Sequence, residues 1–232
     1  MSTALEETFD LAETPLRTLN QRLHDLAGTR GGHVRVTNPS GAHAVACGID
    51  AELEVDVEGH VGYYCAGMNK LATVRVHGNA GSGLAENMMS GRVEVDGSAS
   101  QYCGATAHGG LIVIHGDTSL RCGISLKGGE IVVRGSVGGN SMFMAQAGAL
   151  VVCGDAGEAL GDSLYEARIY VRGAVKGLGA DCIQKDMREE HLAQVRDLLA
   201  RAGIDDAEAG EFRRYGSARS LYTFKIDNAG AY

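Results

Sequence analysis

The chain has 232 residues, 34 of them glycine, with two prolines and no tryptophan, and its 21 Lys and Arg against 29 Asp and Glu leave a formal net charge of −8. Collagen is excluded, since it needs glycine at every third position and abundant proline, and a hydrophobic content of 44% excludes a simply disordered chain. An acidic chain with no Lys/Arg run and no stretch near the ~18 apolar residues of a membrane span is expected to partner neither nucleic acid nor a bilayer.

Residues 1–32 read as an N-terminal arm and a capping helix. Glu6, Glu7 and Asp10 stand where a secretory signal would need an apolar core, so a cytoplasmic location and reduced thiols are expected. Thr14 and Pro15 read as N-cap and first helical residue; Leu16, Leu19, Leu23 and Leu26 make one apolar face that stops at Gly28. Val34 to Ile49 reads as a ragged first coil, because Gly41 and Gly48 stand seven residues apart.

Residues 33–184 are dominated by a repeat. Val55-Asp56-Val57-Glu58-Gly59 sets a template that returns with anchor glycines at Gly78, Gly97, Gly116, Gly135, Gly154 and Gly173, always 19 positions on. Small residues recur seven positions after the anchor (Ala66, Ala85, Gly104, Gly123, Gly161) and thirteen after it (Ala72, Gly91, Gly110, Gly129, Gly148). Three short segments separated by three corners predict an all-β fold, a right-handed, three-sided parallel β-helix of about seven 19-residue coils, with capping helices at both ends. Corners call for glycine through positive φ or close backbone approach.

Strand alternation assigns the columns. Residues two and four before each anchor, from Val55 and Val57 to Ile169 and Val171, are aliphatic throughout and face inward. Among the outward residues, Asp56, Arg75 and Glu94 alternate in charge, whereas Val113, Val132, Val151 and Tyr170 form an apolar stripe over coils four to seven. Such a stripe needs a cover, here expected to be the C-terminal helix or a partner subunit. Residues 185–232 supply a helix over 186–202, through Met187, Leu192, Val195, Leu198 and Leu199, then an acidic loop from Ile204 to Gly210. The tail from Glu211, with Arg213, Arg214, Arg219, Phe212, Tyr215, Tyr222, Phe224 and Tyr232, is too aromatic for a free end and is expected to dock.

Little in the repeat points to chemistry. Gly81-Ser82-Gly83 lacks the strand-to-helix setting of a phosphate loop. Cys65, Cys103 and Cys122 share one slot of the repeat and read as small buried hydrophobes. His77 and His115 stand two coils apart, roughly 10 Å, too far to share a metal, and are expected to pair with acids such as Glu58 and Asp96. Asp155, Asp162, Glu166 and Asp181 offer carboxylates for a β-helical carbohydrate-active enzyme, the weaker alternative. Glu86 to Gly91 reads as a contact surface. The residues themselves designate no catalytic, cofactor-binding or metal-binding side chain.

The longer motifs are more specific. Gly62-Tyr63-Tyr64-Cys65-Ala66-Gly67-Met68-Asn69, Gly78-Asn79-Ala80-Gly81, Arg121-Cys122-Gly123-Ile124-Ser125, Met142 to Gly148, Leu160-Gly161-Asp162-Ser163, Arg214 to Arg219 and Asp227 to Tyr232 span nearly the whole chain beyond Asp10. With these motifs the chain resembles the GXGXG β-helical family, which includes the C-terminal domain of the glutamate synthase large subunit and one of the subunits of formylmethanofuran dehydrogenase. Within it the chain is most similar to the β-helical subunit of N-methylglutamate synthase (methylamine–glutamate N-methyltransferase). That resemblance implies a non-catalytic structural subunit in a hetero-oligomer with a glutamine-amidotransferase-like subunit and an FMN-binding glutamate-synthase-like subunit, the FMN lying in the partner. The reaction it implies makes N-methyl-L-glutamate from L-glutamate and methylamine with release of ammonia; a relative using another amine or amide would share these motifs. Ser2 after Met1 is unlike the amidotransferase's N-terminal cysteine.

Overall fold

The computed structural model describes residues 5–221, so the aromatics Tyr222, Phe224 and Tyr232 and the motif Asp227 to Tyr232 lie outside the described residues, as does Ser2. It is a parallel β-solenoid. Eleven strands join in one sheet: β1 (Glu6–Asp10), β2 (Arg30–Thr37), β3 (Glu52–Glu58), β4 (Thr73–Val76), β5 (Arg92–Val95), β6 (Leu111–Ile114), β7 (Lys127–Val133), β8 (Ala147–Val152), β9 (Arg168–Val171), β10 (Cys182–Lys185) and β11 (Arg213–Ser217). From β1 to β9 every neighbour is parallel, and the pairing Val55–Val74–Val93–Ile112–Ile131–Leu150–Ile169 carries the 19-residue period into space. All fourteen inward aliphatics are buried, as strand alternation requires.

The anchor glycines are explained by proximity. The amide of Gly97 donates to the carbonyl of Gly78 at 2.9 Å, Gly116 to Gly97 at 2.9 Å and Gly135 to Gly116 at 3.0 Å, and the line continues to Gly173. A Cβ on Gly116 would stand 2.8 Å from the backbone of Gly97 and 2.5 Å from Ser98 Oγ. Coils this close leave no room for a side chain at that corner. The residue after each anchor completes the joint: His60 Nδ1 accepts the Asn79 amide, Asn79 Oδ1 the Ser98 amide, Ser98 Oγ the Asp117 amide, Asp117 Oδ1 the Ser136 amide, Ser136 Oγ the Asp155 amide and Asp155 Oδ1 the Ala174 amide, all within 2.7–3.1 Å.

Three strands per coil were expected, and only the first is a regular strand. The second is reduced to single parallel bridges, Val61–Ala80–Ala99–Thr118–Val137–Ala156–Val175. The rest of each turn alternates left- and right-handed residues: Tyr64, Ala66 and Met68 in one coil, Tyr102, Gly104 and Thr106 two coils on, all at positive φ. For a non-glycine residue this conformation costs about 1–2 kcal/mol. The left-handed residues offset the cost with bonds to both adjacent coils. Tyr64 N donates forward to Ser82 O (2.8 Å), Ala66 N back to Val45 O (2.9 Å), and Met68 N forward to Glu86 O (2.8 Å).

The ends depart from the repeat. At the N-terminus β1 and β2 are parallel, with Phe9 against Val36, and helix α1 (Leu16–Asp25) stands between them in sequence. The sequence reading missed β1. Pro15 is the N-cap rather than the first helical residue, since its ψ of 135° is extended. Leu19 and Leu23 join the buried core with Val34, Val45 and Ile49, and Asn20 both donates to Ala44 O and accepts from Ala46 N. Val34 to Ile49 is a further, irregular coil.

At the other end the sheet is closed by strands and not by a helix: β11 pairs antiparallel with β9, and β10 lies outside it. Helix α2 (Glu189–Arg201) runs along the flank instead. It begins three residues later than the expected start at 186, because Arg188 is still extended at ψ 169°. Its Val195, Leu198 and Leu199, with Ile204, Ala209 and Phe212 from the loop beyond, bury Val113, Val132, Val151 and Tyr170 completely. The cover expected for the apolar stripe is therefore the chain's own C-terminal helix. The acidic loop is pinned by the arginines of the outward column, Arg134 to the Asp206 carboxylate (2.8 Å) and Arg172 to the Asp206 carbonyl (3.2 Å).

Two substitutions test this packing. Gly116→Ala is expected to lower stability to urea by about 1–3 kcal/mol through overpacking against Gly97, whereas Gly210→Ala, with open space around its Cβ, stays within about 0.5 kcal/mol. Leu198→Ala removes a fully buried side chain and is expected to cost about 2–5 kcal/mol in the same measurement.

Candidate functional site

Side chains that repeat every coil fall into columns, and most titratable columns are consumed by their neighbours. His33 Nε2 lies 2.7 Å from Asp56 Oδ2. His77 places Nε2 at 2.9 Å from Asp56 Oδ1 and Nδ1 at 2.9 Å from Asp96 Oδ2. Glu94 takes His115 at 2.8 Å and Arg92 at 2.7 Å, while Arg75 reaches Glu54 and Arg35 reaches Glu58. The expected His77–Asp96 pair is present. Glu58, the other acid named for the histidines, pairs with Arg35 because the strand pairing sets Arg35 beside Asp56 and sends the longer Glu58 back to it. Hydrogen bonds to Asp96 and Asp56 raise the His77 pKa, since both nitrogens face carboxylates and only the imidazolium donates from both.

Cys65, Cys103 and Cys122 are buried and free, as are Cys153 and Cys182, while Cys47 is half-buried. Burial pushes the Cys47 and Cys153 thiols up to about 11 and Cys182 up to about 12. The hydrogen bond from Cys122, together with burial, holds Cys103 well above the usual thiol range. At Cys153 the nearby Arg172 and Arg134 oppose the effect of burial without overcoming it. The four carboxylates considered for carbohydrate chemistry are dispersed into structural roles. Asp155 accepts the Ala174 amide; Asp162 accepts from Ser163 Oγ; Glu166 pairs with Arg219; Asp181 accepts from Ser217 Oγ and from the Ser220 amide. Among the described residues no group of three or more His, Cys, Asp or Glu is placed to hold a metal ion. Among those residues, too, no helix is long and apolar enough to cross a membrane. Gly81-Ser82-Gly83 belongs to an ordinary coil, where a Cβ on Gly81 would stand 2.5 Å from Gly62 C.

Two regions stand outside these coil-to-coil pairings. The first is the turn side of the early coils, where Tyr63, Met68, Leu71 and Met89 are each 40–54% exposed while the intervening Met88 is buried. His43 stacks on Tyr63 with ring centroids 4.5 Å apart. Tyr63 and Met68 belong to the motif Gly62–Asn69, and Met89 belongs to the segment Glu86–Gly91.

The second is a cavity of about 320 Å³ at the C-terminal end, walled by the turn from Tyr165 to Arg168, by Lys185, by Arg188, Glu190 and His191 at the start of α2, and by residues 214–217 and 219. Antiparallel pairing sets Lys185 directly opposite Arg214. Arg214 Nε donates to Asp186 O at 3.0 Å, and Arg168 Nη1 donates to Gln194 Oε1 at 3.0 Å. Gln194 Oε1 also accepts from Tyr170 OH at 2.8 Å. His191, almost fully buried, accepts the Arg188 amide through Nδ1, so its proton sits on Nε2, 3.4 Å from Glu190 Oε1. Burial first, and then the guanidinium of Arg214, lower its pKa and keep it neutral. Sequence reasoning had singled out the stretch from Arg214 to Arg219 but not Lys185, whose position opposite Arg214 exists only once β11 folds back between β9 and β10.

No protein-family model matches the chain. Protein GlxC of Rhizobium meliloti (strain 1021) is 64% identical to it over 225 residues, covering 97% of this chain and 99% of that protein. The chain belongs to the same family as GlxC.

The histidine–carboxylate column carries a pH signature. Because the folded pKa of His77 is raised, its contribution is present below the unfolded value and is lost as pH rises through the folded one. The midpoint of thermal unfolding is expected to fall from about pH 6 to about pH 8.5, and to fall less steeply in His77→Gln; equal slopes would show that His77 has no part in the pH dependence.

Proposed function

We propose that this member of the GlxC family is a non-catalytic structural subunit of a glutamate-synthase-like complex. The reading is carried by the contrast between a rod whose titratable side chains are taken up in coil-to-coil pairs and an exposed Tyr63–Met68–Leu71–Met89 surface that those pairs leave free. Exposed apolar side chains on a rigid solenoid suit the holding of partners. Tyr63 and Met68 belong to the motif Gly62–Asn69, which carries part of the resemblance to the N-methylglutamate synthase subunit.

In this reading the partners are a glutamine-amidotransferase-like subunit and an FMN-binding glutamate-synthase-like subunit. The assembled enzyme makes N-methyl-L-glutamate from L-glutamate and methylamine and releases ammonia. The redox cofactor belongs to the partner, and the present chain supplies the fixed geometry between the other two. A subunit of this kind acts in the cytoplasm.

Isolation of the chain from its native host tests the assignment. Two further polypeptides and a flavin absorbance are expected to accompany it, and the purified assembly is expected to turn over L-glutamate with methylamine in preference to a panel of other amines and amides. The pair Met68→Glu and Met89→Glu is expected to reduce partner recovery at least tenfold without unfolding the chain, because a charge buried in an interface core costs about 2 kcal/mol or more. A chain that purifies alone and cleaves polysaccharide would overturn the reading.

A further inference from the structure

The C-terminal cavity holds more positive charge than the fold uses. Five cations line it, Arg168, Lys185, Arg188, Arg214 and Arg219, against two acids, Glu166 and Glu190. Arg219 is matched by Glu166 at 2.8 Å, and Arg188 approaches Glu190 only to 4.0 Å, both pairs well exposed. The remaining three lack such a match. Arg168 bonds a neutral amide, and Arg214 a backbone carbonyl. Lys185 and Arg214 are half-buried, directly opposed across β10 and β11, and neither forms an ion pair with a described residue. Like charges in opposed positions of an antiparallel pair repel, and an uncompensated half-buried cation is costly. The stack of repeating coils does not require either residue, because both lie beyond the last anchor glycine, Gly173.

We propose that this cavity is a binding site for a small, multiply charged oxyanion, a phosphate or a dicarboxylate, held between Lys185, Arg214 and Arg168. The guanidinium fork matches the paired oxygens of phosphate and carboxylate, and the ammonium of Lys185 adds a point charge beside it. A volume of about 320 Å³ admits a molecule of metabolite size and excludes a nucleic acid strand. Neutral His191 forms part of the wall, with its Nε2 facing Glu190 Oε1 at 3.4 Å. With an anion in place, the Lys185–Arg214 repulsion becomes attraction to a shared partner. The proposal does not depend on the subunit assignment, and the isolated full-length chain suffices to test it.

Titration calorimetry and thermal unfolding of the full-length chain, with inorganic phosphate in one arm, succinate in a second and chloride at matched ionic strength as reference, decide the matter. Saturable binding is expected in at least one of the first two arms, and the arm with the higher affinity identifies the source of the oxyanion. Lys185→Gln is expected to weaken that binding at least tenfold while leaving the unliganded protein as stable as the parent or more so, because the substitution relieves the opposed charges. Arg214→Gln is expected to weaken binding to a similar degree. A merely structural lysine would give the opposite pattern, lower stability with nothing lost in binding. Absence of saturable binding in both arms, or unchanged affinity in Lys185→Gln with its circular dichroism intact, would overturn the proposal.

Discussion

Everything in this protein hangs on the distance at which one coil can approach the next. From Gly97 to Gly173 each anchor amide donates to the anchor carbonyl one coil below, and the two backbones come within reach of atoms that a Cβ would displace. Once that contact is made, coil length can no longer vary, because an inserted residue would rotate every later glycine off the line. The uniform step of 19 residues is the trace of that constraint in the sequence. Parallel pairing from β2 to β9, the polar ladder from His60 to Asp155 and the alternating left-handed turn are all consequences of stacking at one fixed spacing.

Fixed spacing has a second effect, which bears on function. It turns positions of the repeat into columns, so each polar side chain meets the same slot of the adjacent coil. Asp56 is shared between His33 and His77, and Glu94 between Arg92 and His115. A column of this kind satisfies its members and leaves little chemistry exposed. Where the columns stop, the surface changes character. The basic cavity around Lys185 and Arg214 lies beyond the last anchor glycine, whereas the exposed Tyr63, Met68, Leu71 and Met89 sit within regular coils at positions the ion pairs leave free.

Legibility followed periodicity. Period two within the strands and period nineteen between them identified the inward aliphatics, and the run of Val113, Val132, Val151 and Tyr170 identified a face in need of a cover. The first and last strands were not legible in the same way. β1 is a short segment, Glu-Glu-Thr-Phe-Asp, with no repeat glycine, and β11 pairs antiparallel, so neither carries the template. The left-handed residues Tyr64, Met68 and Tyr102 were hidden for another reason: side chains of their kind give no conformational signal, and only the hydrogen bonds to both neighbouring coils sustain them. The His60-to-Asp155 ladder was visible in principle, as a column where every residue from Asn79 to Asp155 that must accept a hydrogen bond has a short polar side chain.

The sequence by itself determined the solenoid, because a repeat that forbids side chains at one corner and demands aliphatics at two positions has one way to bury its core. It also determined that coils four to seven needed a cover. The tertiary structure alone decided what the cover is and what lies at the ends. Helix α2 and strand β11 reach their places through contacts between residues far apart in the chain, such as Leu198 in the same buried cluster as Val132 and Arg214 opposite Lys185. Local pattern records which surfaces must be buried, but the choice among surfaces that fit belongs to long-range packing. The charge excess of the C-terminal cavity comes from that choice, for it arises only when β11 is laid between β9 and β10.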